Sequence, residues 1–160
     1  MKKSIIIVIS LLLVIFFVVG IFVYIIKDKE EVVNIAISLP ELEAKIHDID
    51  EFDYSKMQDI DKDFATSNFL IDSRKIQDII GKSPIISTTS SMYVVIKADN
   101  SNLQEIKMAL ESYGVEYETQ WSTYLPDQYE LVKNRQIGIK GNYVYMVISE
   151  NPNTIIELIK

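Results

Sequence analysis

Apolar residues follow two different regimes along this chain. From Ile5 to Ile26 they form one run with no charged member; its small or polar residues are Ser10, Gly20 and Tyr24, and Lys2 and Lys3 stand before it. As a helix, a run of this length reaches roughly 33 Å, enough to span a bilayer core. Beyond Ile26 the apolar positions become periodic and alternate with charge, the pattern of a folded domain.

Pro40, Glu41 and Glu43 open a helix that the stripe Leu39, Leu42, Ile46 and Ile49 carries to about Ile49, with proline tolerated in the first turn and acids favoured there by the helix dipole. Asp48 to Asp63 has seven acids against Lys56 and Lys62 and no sustained apolar period, so it reads as an acidic loop with one helical turn at most. Asp72 and Ser73 predict a cap for a second helix through Ile80, with Ile76, Ile79 and Ile80 inward, Gly81 as its stop and Pro84 beyond. Ser87 to Ser91 is a linker. Met92 to Ala98 has the β-branched and aromatic content of a buried strand.

Leu103, Ile106, Leu110, Tyr113, Tyr117, Trp121 and Tyr124 step by threes and fours and predict an amphipathic helix of about six turns. Gly114 falls inside it, at a cost of about 1 kcal/mol relative to alanine, so a kink or a break into two helices there is the alternative. Pro126 restarts a short helix through Lys133. Gln136 to Lys140 and Tyr143 to Ser149 flank Gly141 and Asn142, a two-residue loop suited to a hairpin. Asn151, Pro152 and Thr154 introduce a last helix carrying Ile155, Ile156 and Ile159. The expected architecture is α+β, a three-stranded, mainly antiparallel sheet packed on the long amphipathic helix.

The apolar run changes the picture of where this domain resides. A cleaved secretory signal has a shorter core of about 7 to 15 residues and a small-x-small site, whereas this run passes into Tyr24, Ile25, Ile26, Lys27 and Asp28. The expected organisation is a cytoplasmic tail at 1–4, a retained single-pass transmembrane anchor at 5–26, a stalk at 27–39 and an extracytoplasmic domain at 40–160. Lysines tie across the run, Lys2 and Lys3 against Lys27 and Lys29; the α-amino group and the ease with which long acidic domains cross favour a cytoplasmic amino terminus.

Setting Lys2 and Lys3 aside leaves fourteen lysines and arginines against twenty-three acids, a formal charge of −9 for residues 27–160. That charge disfavours nucleic acid, whose phosphates need a basic face, and close adhesion to anionic headgroups. The chain has no cysteine, which removes disulfides, thiol catalysis and thiolate metal sites.

Candidate chemistry is sparse. Asp59, Asp61 and Asp63 occupy the first three ligand positions of an EF-hand loop, but Phe64 stands at the position of its glycine and Leu70 at that of its bidentate glutamate. A solvated acidic loop is therefore expected, with weak calcium sensing as the alternative. His47, the single histidine, stands beside the first apolar stripe as a boundary residue. Ser87, Ser90 and Ser91 lie in no nucleophile motif and read as linker. Tyr113, Tyr117, Trp121, Tyr124 and Tyr129 read as core packing, and become a sugar- or peptide-stacking surface only where ring faces are exposed. No catalytic, cofactor-binding or metal-binding residue and no cofactor is assigned.

The segment Tyr124, Leu125, Pro126, Asp127, Gln128, Tyr129, Glu130, Leu131, followed by Lys140, Gly141, Asn142, Tyr143, Val144 and then Ile148, Ser149, Glu150, resembles the carboxyl-terminal signature of an uncharacterised family, domain of unknown function 4358. The likeness runs roughly from Asp59 to Ile159. It implies an extracytoplasmic domain of a Firmicutes-type cell envelope, in a family commonly carried behind a lipoprotein signal; here an uncleaved helix replaces the lipobox cysteine. It carries over no catalytic residue. The functional expectation is a membrane-anchored, non-enzymatic interaction module of the bacterial envelope, with the lipid bilayer and an envelope or membrane protein as partners; the alternative is a ligand- or cation-sensing domain.

Overall fold

A computed structural model of the chain describes residues 37–160. The predicted tail, anchor and most of the stalk lie outside the described residues, and among the described residues no helix is long and apolar enough to cross a membrane.

Helix α1 (Leu39–His47) is capped by Ser38, whose Oγ accepts from the Glu41 N–H, and has Pro40 in its first turn; it stops two residues short of the expected Ile49. Strand β1 (Met57–Asp59), helix α2 (Lys62–Asn68) and strand β2 (Asp78–Pro84) follow. Then come β3 (Met92–Lys97), the long α3 (Asn100–Trp121), α4 (Pro126–Lys133), the hairpin β4 (Gln136–Lys140) and β5 (Tyr143–Ile148), and α5 (Pro152–Ile156). The fold is α+β. Its sheet has five strands rather than three, in the order β1-β2-β3-β5-β4, and every neighbouring pair is antiparallel.

The two extra strands come from segments read otherwise in the sequence. Asp72 does cap a turn, accepting from the Arg74 N–H, but the turn is a single 3-10 turn at Ser73–Lys75 and the chain then extends into β2. Ile79 and Ile80 pack on opposite faces of the sheet, which a strand buried on both sides requires and a helical stripe of three isoleucines imitates over so short a span. Gly81 stops no helix. It pairs with Val94 in mid-strand, where a Cβ would lie 2.6 Å from the Tyr93 carbonyl oxygen and 3.1 Å from the Ile60 Cβ. The acidic stretch Asp48 to Asp63 is likewise folded, through a 3-10 turn at Tyr54–Lys56, β1 and the start of α2.

Alternation along β3 and β5 divides the core. Met92, Val94, Ile96, Val144, Met146 and Ile148 face α2, α3 and α4, while Tyr93, Val95, Tyr143 and Val147 face α1 and α5. Helices therefore cover both faces, and Met92 to Ile96 are all buried. The hairpin turns as predicted, with Gly141 at φ 57° as the first residue of the loop.

Helix α3 runs unbroken through Gly114. The missing Cβ leaves room for Arg135, whose Cδ lies 2.9 Å from where that carbon would be. Arg135 Nη1 in turn donates to Glu118 Oε2 at 2.6 Å and to the Val132 carbonyl at 2.9 Å.

Candidate functional site

Length mismatch builds the most distinctive surface of the domain. Helix α3 has 22 residues and spans about 33 Å, whereas six-residue β3 spans about 20 Å. Since α3 begins directly after β3 and runs back along it, Tyr113 already meets Met92 at the start of the strand. The last two turns of the helix overhang the sheet. The segment joining β2 to β3 emerges at this same end and packs under the overhang.

That segment is clamped from one point. Ser90, fully buried, donates its N–H to Gln128 Oε1 at 2.7 Å and its hydroxyl to the Gln128 carbonyl at 3.0 Å. Tyr117 OH donates to the Ser90 carbonyl at 3.4 Å. Ser90 is thus a structural anchor where the sequence suggested linker. Its partner Gln128 was not singled out by side-chain chemistry; the available signal was its fixed place two residues after Pro126 in the segment that carries the family resemblance.

Between the clamped segment and the overhang lies a hollow of about 270 Å³, lined by Ile85, Ile86, Ser87, Thr89, Tyr117, Gln120, Trp121 and Tyr124. Ile85 is 61% exposed, Ile86 42% and Tyr124 57%. The lining contains no carboxylate and no lysine or arginine. A second hollow of about 210 Å³ lies on the other side of the same segment, against Phe52, Asp53, Lys56 and Met57, and Thr89 lines both.

The aromatic stripe is mostly core. Phe64, Phe69, Tyr113, Tyr117, Trp121 and Tyr124 form a continuous ladder with ring centroids 4.7 to 6.0 Å apart, the range of favourable aromatic pairs. Burial pushes the Tyr113 hydroxyl well above the usual tyrosine range and raises that of Tyr117 as well. Tyr124 is the exposed rung; Tyr129 packs partly buried against the core.

The other candidates are not brought together. Asp59 is ion-paired with Lys82, Asp61 caps α2 by accepting from the Phe64 N–H at 2.8 Å, and Asp63 lies in the first turn of that helix. Strand, cap and helix hold these carboxylates apart from any ligand-loop geometry, and among the described residues no three His, Asp or Glu side chains are grouped to hold a metal ion. His47 is exposed and stacks on the Tyr54 ring, with centroids 4.3 Å apart. Ser87 lines the exposed hollow and has no base beside it.

Both hollows fall within residues 50–149, which match the family described as Domain of unknown function (DUF4358). The chain belongs to that family. No curated protein and no solved structure matches it.

Proposed function

We propose that this chain is an interaction module of the bacterial cell envelope, held on the outer side of the membrane by residues 5–26, which acts by binding rather than catalysis. A protein component of the envelope docks on it at the hollow between the 85–89 segment and Tyr124. The observation that carries this reading is the exposure of Ile85, Ile86 and Tyr124 together on one frame. Grouped apolar exposure of this kind marks interaction surfaces, and tyrosine is enriched among their anchors.

Two further features support it. The Ser90 to Gln128 clamp holds the segment before any partner arrives, which lowers the ordering cost of binding. The uncharged lining, within a stretch of net charge −9, lets an apolar side chain enter without desolvating an ion.

The test is site-specific photo-crosslinking in native membranes, with the reactive side chain at Ile86 or at Tyr124 and a control at Glu116. A discrete protein adduct from the first two sites alone is the expected result; uncrosslinked chain from all three rejects the docking surface. Protease added to wall-stripped cells checks the topology separately, because a protected domain overturns the outer placement.

A further inference from the structure

Strand β4 ends the sheet with an open edge. Ile60 N–H donates to the Gly81 carbonyl and Gln77 N–H to that of Lys97, and these bonds fix the phase of the antiparallel ladder across β2, β3 and β5. In that phase Gln136, Gly138 and Lys140 exchange bonds with β5. The main-chain groups of Ile137 and Ile139 point outward, and among the described residues they have no main-chain partner beyond the sheet.

Edges are ordinarily blunted by proline, by a bulge or by a lysine standing over them. β4 has no proline, and its register with β5 is continuous. Lys140 turns its Nζ back onto the Ile156 carbonyl at 3.0 Å, and the Tyr145 ring lies over Gly138. The edge is left flat. Beside it a hollow of about 320 Å³ opens between β4 and α3, lined by Val115 and Ile137 together with Glu111, Lys133, Arg135 and Gln136, and Val115 is 58% exposed.

Charge separates this edge from the rest of the domain. Residues 133–140 hold Lys133, Arg135 and Lys140 and no acid, in a stretch whose net charge is −9. Arg135 is committed to Glu118, but Lys133 meets Glu130 at 3.3 Å on the open surface, a pair worth little in water. Lys140 has no carboxylate at ion-pair distance among the described residues.

We infer that β4 accepts an extended segment of a partner protein as a sixth strand, one that alternates apolar and acidic residues. Ile137 and Ile139 supply two N–H donors and two carbonyl acceptors to it. Its apolar side chains fall on the α3 face, against Ile137, Ile139 and the Val115 hollow; its acidic ones fall on the face of Lys140. A second copy fits less well, because antiparallel pairing of β4 with itself brings two segments together that each hold Lys133, Arg135 and Lys140 and no acid.

The test measures backbone amide exchange of the full chain in detergent micelles with two eight-residue peptide probes, one alternating valine with glutamate and the other valine with lysine. At about ten times its dissociation constant, the glutamate peptide is expected to slow exchange at Ile137 and Ile139 about tenfold, and the lysine peptide to leave it unchanged. Ile139→Pro removes an outward donor without breaking a ladder bond and abolishes the effect, with unchanged exchange at Val95 as the check on folding. Lys140→Glu, the second variant, reverses the preference between peptides. No slowing up to about 1 mM glutamate peptide, or equal slowing by both peptides, overturns the inference. Slowing that tracks chain concentration without peptide also overturns it, by giving the edge to a second copy.

Discussion

Gly114 provides the sharpest test of how this fold is held together. In an ordinary helix interior Gly→Ala stabilises by about 1 kcal/mol. Here the new carbon would lie 2.9 Å from Arg135 Cδ and closer still to Nε, so the guanidinium must move. Moving it breaks the bonds to Glu118 and to the Val132 carbonyl, made by a side chain that is 15% exposed facing one that is 30% exposed. Bonds to a charged group contribute about 1.5 to 3 kcal/mol each when well buried, and partial rehydration of Glu118 brings the combined loss to about 2 to 3 kcal/mol. Gly114→Ala is therefore expected to destabilise by about 1 to 2 kcal/mol. With Arg135→Ala already present, the same substitution is expected to stabilise by about 1 kcal/mol, which makes the coupling about 2 to 3 kcal/mol. Urea titrations of the four chains read this directly, following the fluorescence of Trp121, the single tryptophan and a buried one. If Gly114→Ala stabilises both backgrounds equally, the glycine is not reserved for Arg135.

Other outcomes follow from single groups. Tyr93 OH is buried without a hydrogen-bond partner, whereas Tyr143 OH donates to the Ile37 carbonyl at 2.8 Å; Tyr93→Phe should raise stability by about 1 kcal/mol and Tyr143→Phe lower it by about 1 to 2, and equal effects in urea would contradict the bonding. Leu70 adopts φ 57° just past α2 with its side chain 83% exposed, so Leu70→Gly relieves strain without emptying the core and should add about 0.5 to 1 kcal/mol to the urea unfolding free energy. Burial holds Tyr93, Tyr113 and Tyr117 above the ordinary value of 10. Above that pH the unfolded chain releases their protons and the folded chain keeps them, so stability is full below it and declines as pH rises, by at most about 1.4 kcal/mol per pH unit for each of Tyr93 and Tyr113 and by less for Tyr117. Urea midpoints that stay flat from about pH 8 to about pH 11 would contradict this.

The sequence by itself determined the elements whose information is local. α1 with its proline, β3, α3, α4, the Gly141 turn with its two strands and the proline-led α5 all lie close to where periodicity and turn chemistry predict them, because a 22-residue helix repeats its signal over six turns and a two-residue hairpin loop needs a residue that tolerates positive φ. Family membership was legible for the same reason, through the order of α4 and the hairpin. Tertiary structure alone decided the rest. Ile76, Ile79 and Ile80 fit a helix as well as a strand until a second helical layer buries both faces of β2. Gly81 and Gly114 looked like breaks and are instead places where another chain segment comes too close for a side chain, a fact that resides in the neighbour and not in the glycine. The candidate site was the least legible. It arises because α3 outruns the sheet and Ser90 finds Gln128 thirty-eight residues away, and no local pattern encodes a difference in length between two elements or a bond between distant ones.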